Sequence, residues 1–508
     1  MEEKSVRPFV SIIRSKPKLL ALLIILLPVL SVTIDNTILS FSLPQITYAL
    51  SPSAAQQLWI IDAYALVLAS LLVTMGGFGD RKGHKNVLFI GSLGFSIVSF
   101  LIIFSQNAGH IIAGRAALGF FGAMILPATL ALIRSTFLDR EERRLVVAAW
   151  ATCLTIGSSI GPVVGGVLLT FFSWHSIFLI AIPFFIPVIL LIRNFIHEST
   201  EKLTGKIDFL SIGISFIAMF GIMFGLKQVA TGGEWPLTFL SIFIGVIFGF
   251  LFVKRQLVLP NPLLDMSLFR NTSFSSLVFI NMISLGSLIG FIFFATQLLQ
   301  ISHGISPLVS SLILAPGELL AIVSGIAIVA IAQKVKPNFI ISGSLILIAI
   351  SFLAVYSLTL TPLIIGLSFL FINSGVGIIA TVSNDLIISS VIPEKAGGAS
   401  SVSETAYEVG VVLGTTLIGG AITWWYRKSF LLPNYLNDEI SEGSADTLAG
   451  ALSVSNSLPK DIANDLLNIA NSAFLTGVEY TSLAAFCFVL LTAILSFFFI
   501  KEENPSNN

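Results

Sequence analysis

Glu404 and Glu408 stand one helical turn apart inside a long apolar run, and Tyr407 beside them adds a ring and a hydroxyl. Glu318 sits deep in a second run, and Asp35 and Asp62 fall in the outer thirds of two more. Hydrocarbon disfavours the charged form of a carboxylate, so groups placed this way can take up and release a proton near neutral pH. Two carboxylates on one helix face strengthen the effect and titrate as a coupled pair. An organic cation can replace the proton. Such a site is neutral with a proton, neutral with a cation, and costly only when empty and charged, so exchange between the two is its natural chemistry. Arg115, also inside an apolar run, is the cationic candidate partner if Glu408 or Glu318 is instead half of a fixed ion pair. Asp385 and Glu479 lie near the ends of their runs, where water reaches them, and read as structural.

The elements that position these groups must be membrane-spanning helices. The chain has 508 residues, 55% of them hydrophobic and 11% charged, against about 25% charged in a soluble protein. Its mean hydropathy is +0.96. A charge at the centre of a bilayer costs at least about 2.5–3.5 kcal/mol, which makes each buried acid a candidate functional group. Basic and acidic residues balance at 27 each, so no net charge recruits nucleic acid. Runs long enough to cross about 30 Å of hydrocarbon fall near residues 19–41, 57–78, 87–105, 111–133, 145–172 and 176–196. After a polar break come 209–226 and 237–253, and after a second come 274–299, 308–332, 339–358, 363–386, 399–425 and 480–500. The total is fourteen, grouped six, two and six.

This grouping predicts an all-α integral membrane protein with an N-terminal six-helix bundle (residues 1–205), two additional transmembrane helices (206–256) and a C-terminal six-helix bundle (257–508). Within the last, residues 426–477 predict an extracellular amphipathic hairpin, with Ile462, Leu466, Ile469 and Phe474 at helical spacing and Gly477 past the end. Lys and Arg gather in every second loop. They include Lys4, Arg7, Arg14, Lys16 and Lys18 ahead of the first run, then Arg81, Lys82 and Lys85, Arg134 to Arg144, Lys202 and Lys206, Lys254 to Arg270, Lys334 and Lys336, and Lys395. Positive loops face the cytoplasm, so both termini do too. Lys227 is an exception, read as part of the loop between the two additional helices. Cys153 and Cys487 lie in apolar runs and read as packing residues, and the five histidines are scattered, so no metal site is expected.

Two loci carry denser patterns. The fifth run contains Gly157-Ser-Ser-Ile-Gly161-Pro162-Val-Val-Gly165-Gly166. Glycines four residues apart let another backbone come close, and Pro162 removes a helix hydrogen bond, giving a helix that packs tightly and can bend. After the second run comes Gly76-Gly-Phe-Gly-Asp80-Arg81-Lys82-Gly83-His84-Lys85. There Gly83 permits a tight reversal, and Asp80 among Arg81, Lys82 and Lys85 can exchange ion-pair partners as helices tilt, as a latch does. The loop Gln333-Lys334-Val335-Lys336 occupies the corresponding place in the second six-helix group.

The fifth-run pattern resembles the antiporter motif of the major facilitator superfamily. The loop resembles that superfamily's Gly-x-x-x-Asp-Arg-x-Gly-Arg-Lys motif, with His84 in place of its second Arg. Arg115 followed by Gly119, and Ile34-Asp35-Asn36-Thr37 leading to Leu43-Pro44, are similar to motifs of the fourteen-helix drug:proton antiporter family and its QacA-like multidrug efflux proteins. The resemblance covers essentially the whole chain. It implies a monomeric exporter in a bacterial cytoplasmic membrane, taking lipophilic cations such as quaternary ammonium biocides and dyes against protons, with the proton as coupling ion and no other cofactor. No phosphate-binding loop for ATP occurs in the sequence. Forty-two phenylalanines and six tryptophans supply ring faces for cation-π contact, although most serve as lipid-facing bulk. The same motifs suit an exporter of tetracycline, bile acids or an endogenous metabolite. A membrane enzyme or receptor on this scaffold would need a convergent catalytic group or a large soluble region, and neither is evident.

Overall fold

The computed structural model describes residue 12 and residues 14–196, 208–230, 232–259, 262–332, 334–390, 396–431, 446–456 and 458–500. Lys4, Arg7, Lys202, Lys206, Lys395 and the boundary at 205–206 lie outside the described residues, as does the side chain of Asp80. Among the described residues, fourteen helices are long and apolar enough to cross a membrane. In order they are α1 (Lys16–Leu50), α2 (Ala54–Lys82), α3 (His84–Ile102), α4 (Ala108–Thr136), α5 (Arg140–Phe171) and α6 (Ser176–Phe195). Then follow α7 (Phe209–Ala230) and α8 (Trp235–Val258). The last six are α9 (Thr272–Ser302), α10 (Pro307–Ala332), α11 (Pro337–Ser357), α12 (Pro362–Ser389), α13, which runs as Ala396–Gly414, a π turn over Thr415–Gly419 and Gly420–Ser429, and α14 (Lys460–Phe499).

The ends of these helices follow local chemistry. Ser53 and Gln56 form a capping box on α2, bonding each other's backbone amides at 3.3 and 3.0 Å. Asn107, Asp139, Asn271 and Thr361 cap α4, α5, α9 and α12, and Pro236, Pro337 and Pro362 sit in first turns, where no amide is missed.

The two six-helix groups pack alike. In the first, α2 lies on α4, α1 on α5 and α6, and α3 on α4 and α6; in the second, α10 lies on α12, α9 on α13 and α14, and α11 on α12 and α14. Each group has its own apolar core, with Phe41 of α1 entering the second core and Phe293 of α9 entering the first. The halves meet along α5 against α10 and α2 against α13. Hydrogen bonds join them at the end where α1 stops and α10 starts: Gln300 Nε2 to the Phe41 carbonyl at 3.0 Å, Gln57 Nε2 to Thr447 Oγ1 at 3.1 Å, and Ser51 Oγ with Ser453 Oγ at 3.3 Å.

The two additional helices form a hairpin. A Cβ at Gly221 would come 2.8 Å from the Ser241 carbonyl and 3.0 Å from Gly245 Cα, so α7 and α8 touch backbone to backbone. Arg255 of α8 clamps Asp208, just ahead of α7, at 2.8 Å. Partial burial pushes the Asp208 carboxyl up, but hydrogen bonds from Arg255 and Ser211 outweigh it and hold the group at about 2. A depressed carboxyl contributes its full stability above the ordinary carboxylate range and loses it only as pH falls through about 2, so the clamp persists at neutral and mildly acid pH.

Two expectations change. The segment expected to form a separate amphipathic helix at Lys460 to Phe474 is the first part of the forty-residue α14, which begins some twenty residues earlier than its apolar run. A short helix, Leu448–Ser455, packs on it. Leu466 and Phe474 are buried as their spacing implies, but Gly477 does not end the helix. It is the point where α14 passes Ile422, whose carbonyl lies 2.8 Å from the position of a Gly477 Cβ. Cys487 is exposed on α14 rather than packed, while Cys153 is half-buried.

Candidate proton and cation site

Asp35 of α1 and Arg115 of α4 form a buried ion pair at 2.6 Å. On the same helix, Gly119 brings α4 close to α2. A Cβ at Gly119 would come 2.5 Å from the Tyr64 carbonyl, and that approach lays the Arg115 guanidinium 4.5 Å from the centre of the Tyr64 ring. Arg115 keeps two buried nitrogens, Nε and Nη2, without hydrogen-bond partners. The expected partnership of Arg115 with Glu408 or Glu318 is corrected: helices of one half supply its counter-ion, whereas Glu318 stands on α10 of the other half. Glu408 is nonetheless within electrostatic reach of Arg115 and of Glu404.

Asp62 of α2 also has a partner, and it is a residue the sequence reading placed in a loop. The α7 helix continues through Lys227 to Ala230, and Lys227 is buried with its Nζ 2.8 Å from Asp62 Oδ2. The same ammonium bonds the Leu58 carbonyl at 3.1 Å and stands 3.9 Å from the centre of the Trp59 ring. Thr416, in the π turn of α13, donates to Asp62 Oδ2 at 3.2 Å from the opposite half. The signal lies in the sequence: Lys227 is a charge inside an apolar run, one turn before the helix ends at Ala230.

Glu318, Glu404 and Glu408 differ from these two. Among the described residues none of the three makes an ion pair or hydrogen bond, although Glu318 is only 7% exposed. Glu408 Oε2 is buried and unpartnered, while both residues of the Glu404 and Glu408 pair are half-buried overall. Backbone contact fixes their helix, because a Cβ at Gly414 would lie 2.7 Å from Gly286 Cα, so α13 rests directly on α9. Tyr407 heads a polar chain that sequence reasoning did not find. Asn384 Nδ2 donates to the Tyr407 hydroxyl at 3.3 Å, Ser403 Oγ donates to Asn384 Oδ1 at 2.8 Å, and Asn281 Nδ2 donates to Ser403 Oγ at 3.1 Å, joining α12, α13 and α9.

The glycine pattern of α5 packs this helix against one helix from each half. Gly157, Gly161 and Gly165 face Thr33, Thr37 and Ile38 of α1, the helix that carries Asp35. Gly166 turns instead to α10, where a Cβ would lie 2.8 Å from Leu308 Cα and 3.0 Å from the Pro307 carbonyl. Pro162 lies within the helix between them. In the loop after α2, Gly83 has φ +94°, where glycine is favoured. Gly76 passes Pro127 of α4, and Arg81 Nη1 bonds the Gly77 carbonyl at 3.3 Å. Lys85 Nζ bonds the carbonyls of Arg193 and Ile196 at 2.8 and 2.9 Å, capping the electronegative end of α6.

A family model described as Major Facilitator Superfamily matches residues 25–415. The chain belongs to the major facilitator superfamily. It is 42% identical over 475 residues to the multidrug efflux pump LfrA of Mycolicibacterium smegmatis, covering 93% of this chain and 94% of that protein. It is 30% identical over 492 residues to the methyl viologen resistance protein SmvA of Salmonella typhimurium, covering 95% and 98%. Against a tetracenomycin C resistance and export protein of Streptomyces glaucescens the identity is 27%, covering 95% and 91%. Among solved structures, a bacterial homologue of the human lysosomal transporter Spinster superposes with a TM-score of 0.63 at 15% identity, covering 97% of this chain and 100% of that one. That likeness speaks to the fold alone. As a member of this superfamily the chain is a multi-pass membrane transporter and not an enzyme.

Proposed function

We propose that this transporter exports lipophilic cationic compounds, such as quaternary ammonium biocides and dyes, from a bacterial cytoplasm in exchange for protons. The observation that carries the proposal is the contrast among its buried acids. Asp35 and Asp62 are matched to Arg115 and Lys227, whereas Glu318, Glu404 and Glu408 have no such partner among the described residues. Carboxylates left this way need a proton or an organic cation, and cannot hold both. The names of the relatives, a multidrug efflux pump and a methyl viologen resistance protein, support drug export and favour cations among the drugs.

In this reading Glu408 and Glu404 are the exchanging pair, Glu318 is a further proton or cation acceptor on α10, and Tyr407 holds the pair's surroundings through its polar chain. Asp35 and Arg115 form a reserve of charge: Arg115, within reach of Glu408, can compensate it when proton and cation are both absent, and Asp35 balances Arg115 otherwise. The latch of Gly76, Asp80, Arg81, Gly83 and Lys85 faces the cytoplasm with both termini, and one chain holds the whole site, as a monomer requires. Each proton entering through about 100 mV supplies about 2.3 kcal/mol, so no other energy source is needed.

Inverted vesicles containing the protein test this. Addition of tetraphenylphosphonium should dissipate a preformed proton gradient, and Glu408→Gln should abolish that response while leaving protein levels unchanged. Cation movement that persists undiminished after the gradient is collapsed would refute proton coupling.

A further inference from the structure

We infer that Asp62, the Leu58 carbonyl, the Trp59 ring and Thr416 form a site for an alkylammonium ion, and that the chain fills this site with its own Lys227. The ammonium of Lys227 meets a carboxylate at 2.8 Å, a carbonyl at 3.1 Å and the face of an indole at 3.9 Å. Those are three distinct acceptors, the complement a primary ammonium asks for. Trp59 is itself held by Phe220 and Phe224 of α7, at 5.6 and 6.3 Å between ring centres. Asp62 Oδ1 is buried without a hydrogen bond, so the carboxylate has acceptor capacity that the resident ammonium leaves unused.

Occupancy by Lys227 has a consequence for selectivity, which rests on the export reading above. With its charge cancelled, Asp62 offers no net negative charge to a second positive one, and an organic cation meets only the unpaired glutamates. Lys227 therefore acts as a specificity residue against dications. Its removal leaves a cavity the size of the lysine side chain beside an uncompensated carboxylate, and that cavity suits a primary alkylammonium or one end of a dicationic amphiphile. A purely structural pair, holding the hairpin to α2, would leave the response to dications unchanged when Lys227 is removed.

The test uses the full-length protein in detergent. Lys227→Ala is expected to melt below the parent, and n-butylammonium should restore most of that loss saturably, whereas n-butanol should not. Neither the parent nor Asp62→Asn/Lys227→Ala should respond to the amine. If Lys227→Ala yields no folded protein in plain buffer, the same comparison is made on its yield during purification with n-butylammonium present. A saturable rescue supports the site; no rescue of stability or yield overturns it. In vesicles, Lys227→Ala should gain a response to decamethonium at least several-fold above the parent, and no gain would overturn the selectivity role. A parent that responds to no cation at all would instead defeat the export reading, while the amine rescue would still report on the site itself.

Discussion

The acids inside the membrane are not equivalent, and what separates them is the identity of the nearest base. Asp35 and Arg115 form a buried pair at 2.6 Å. Breaking such a pair leaves an uncompensated charge in a low dielectric and costs about 3–5 kcal/mol, whereas removing both partners costs much less. Asp35→Asn should therefore lower the thermal stability of the purified protein more than Asp35→Asn/Arg115→Ala does. A double variant as unstable as the sum of the two single variants would mean that the pair carries no coupling. Lys227 makes the same point at Asp62, because an acid that alone suggests a dication site is already neutralised by a residue 165 positions further along the chain.

At the scale of elements, glycine contacts decide where the acidic side chains stand. The α13 helix carries Glu404 and Glu408 and touches α9 at Gly286 and Gly414 with no side chain between them. A methyl group at Gly414 would collide with backbone, which cannot rotate aside as a side chain does. Gly414→Ala should lower the melting temperature and abolish cation-driven proton movement. Gly213→Ala on α7, where a Cβ meets nothing within 4 Å, should change neither, and equal effects from the two would sink the packing argument. The same logic explains α5: three of its glycines admit α1 and the fourth admits α10, so one helix packs on an acid-bearing helix from each half.

The whole molecule consists of two similarly packed halves that meet along α5 and α10 and along α2 and α13, with a helical hairpin leaning on α2. Hydrogen bonds tie the halves at the end that holds Ser51, Gln57, Gln300, Thr447 and Ser453. Export through alternating access requires those contacts to part. Ser51 and Ser453 face each other with hydroxyls 3.3 Å apart, so Ser51→Cys/Ser453→Cys should cross-link under oxidation and stop transport until reductant is added. A cross-linked protein that still transports would show that this end does not need to open.

The chain by itself determined the solvent and the number of spans, because hydropathy and helix length are local properties that a bilayer turns into topology. The small-residue spacing on α5 was legible for the same reason, since it repeats along a single helix. Pairing was not. Whether Arg115 meets Asp35 or Glu408, whether Lys227 ends a helix or lies inside one, and whether residues 460–474 stand apart from or lead into α14 depend on which helices lie side by side. The ion-pair neighbours come from packing across 80 residues of sequence for Arg115 and Asp35 and 165 for Lys227 and Asp62, and only the tertiary structure decides them.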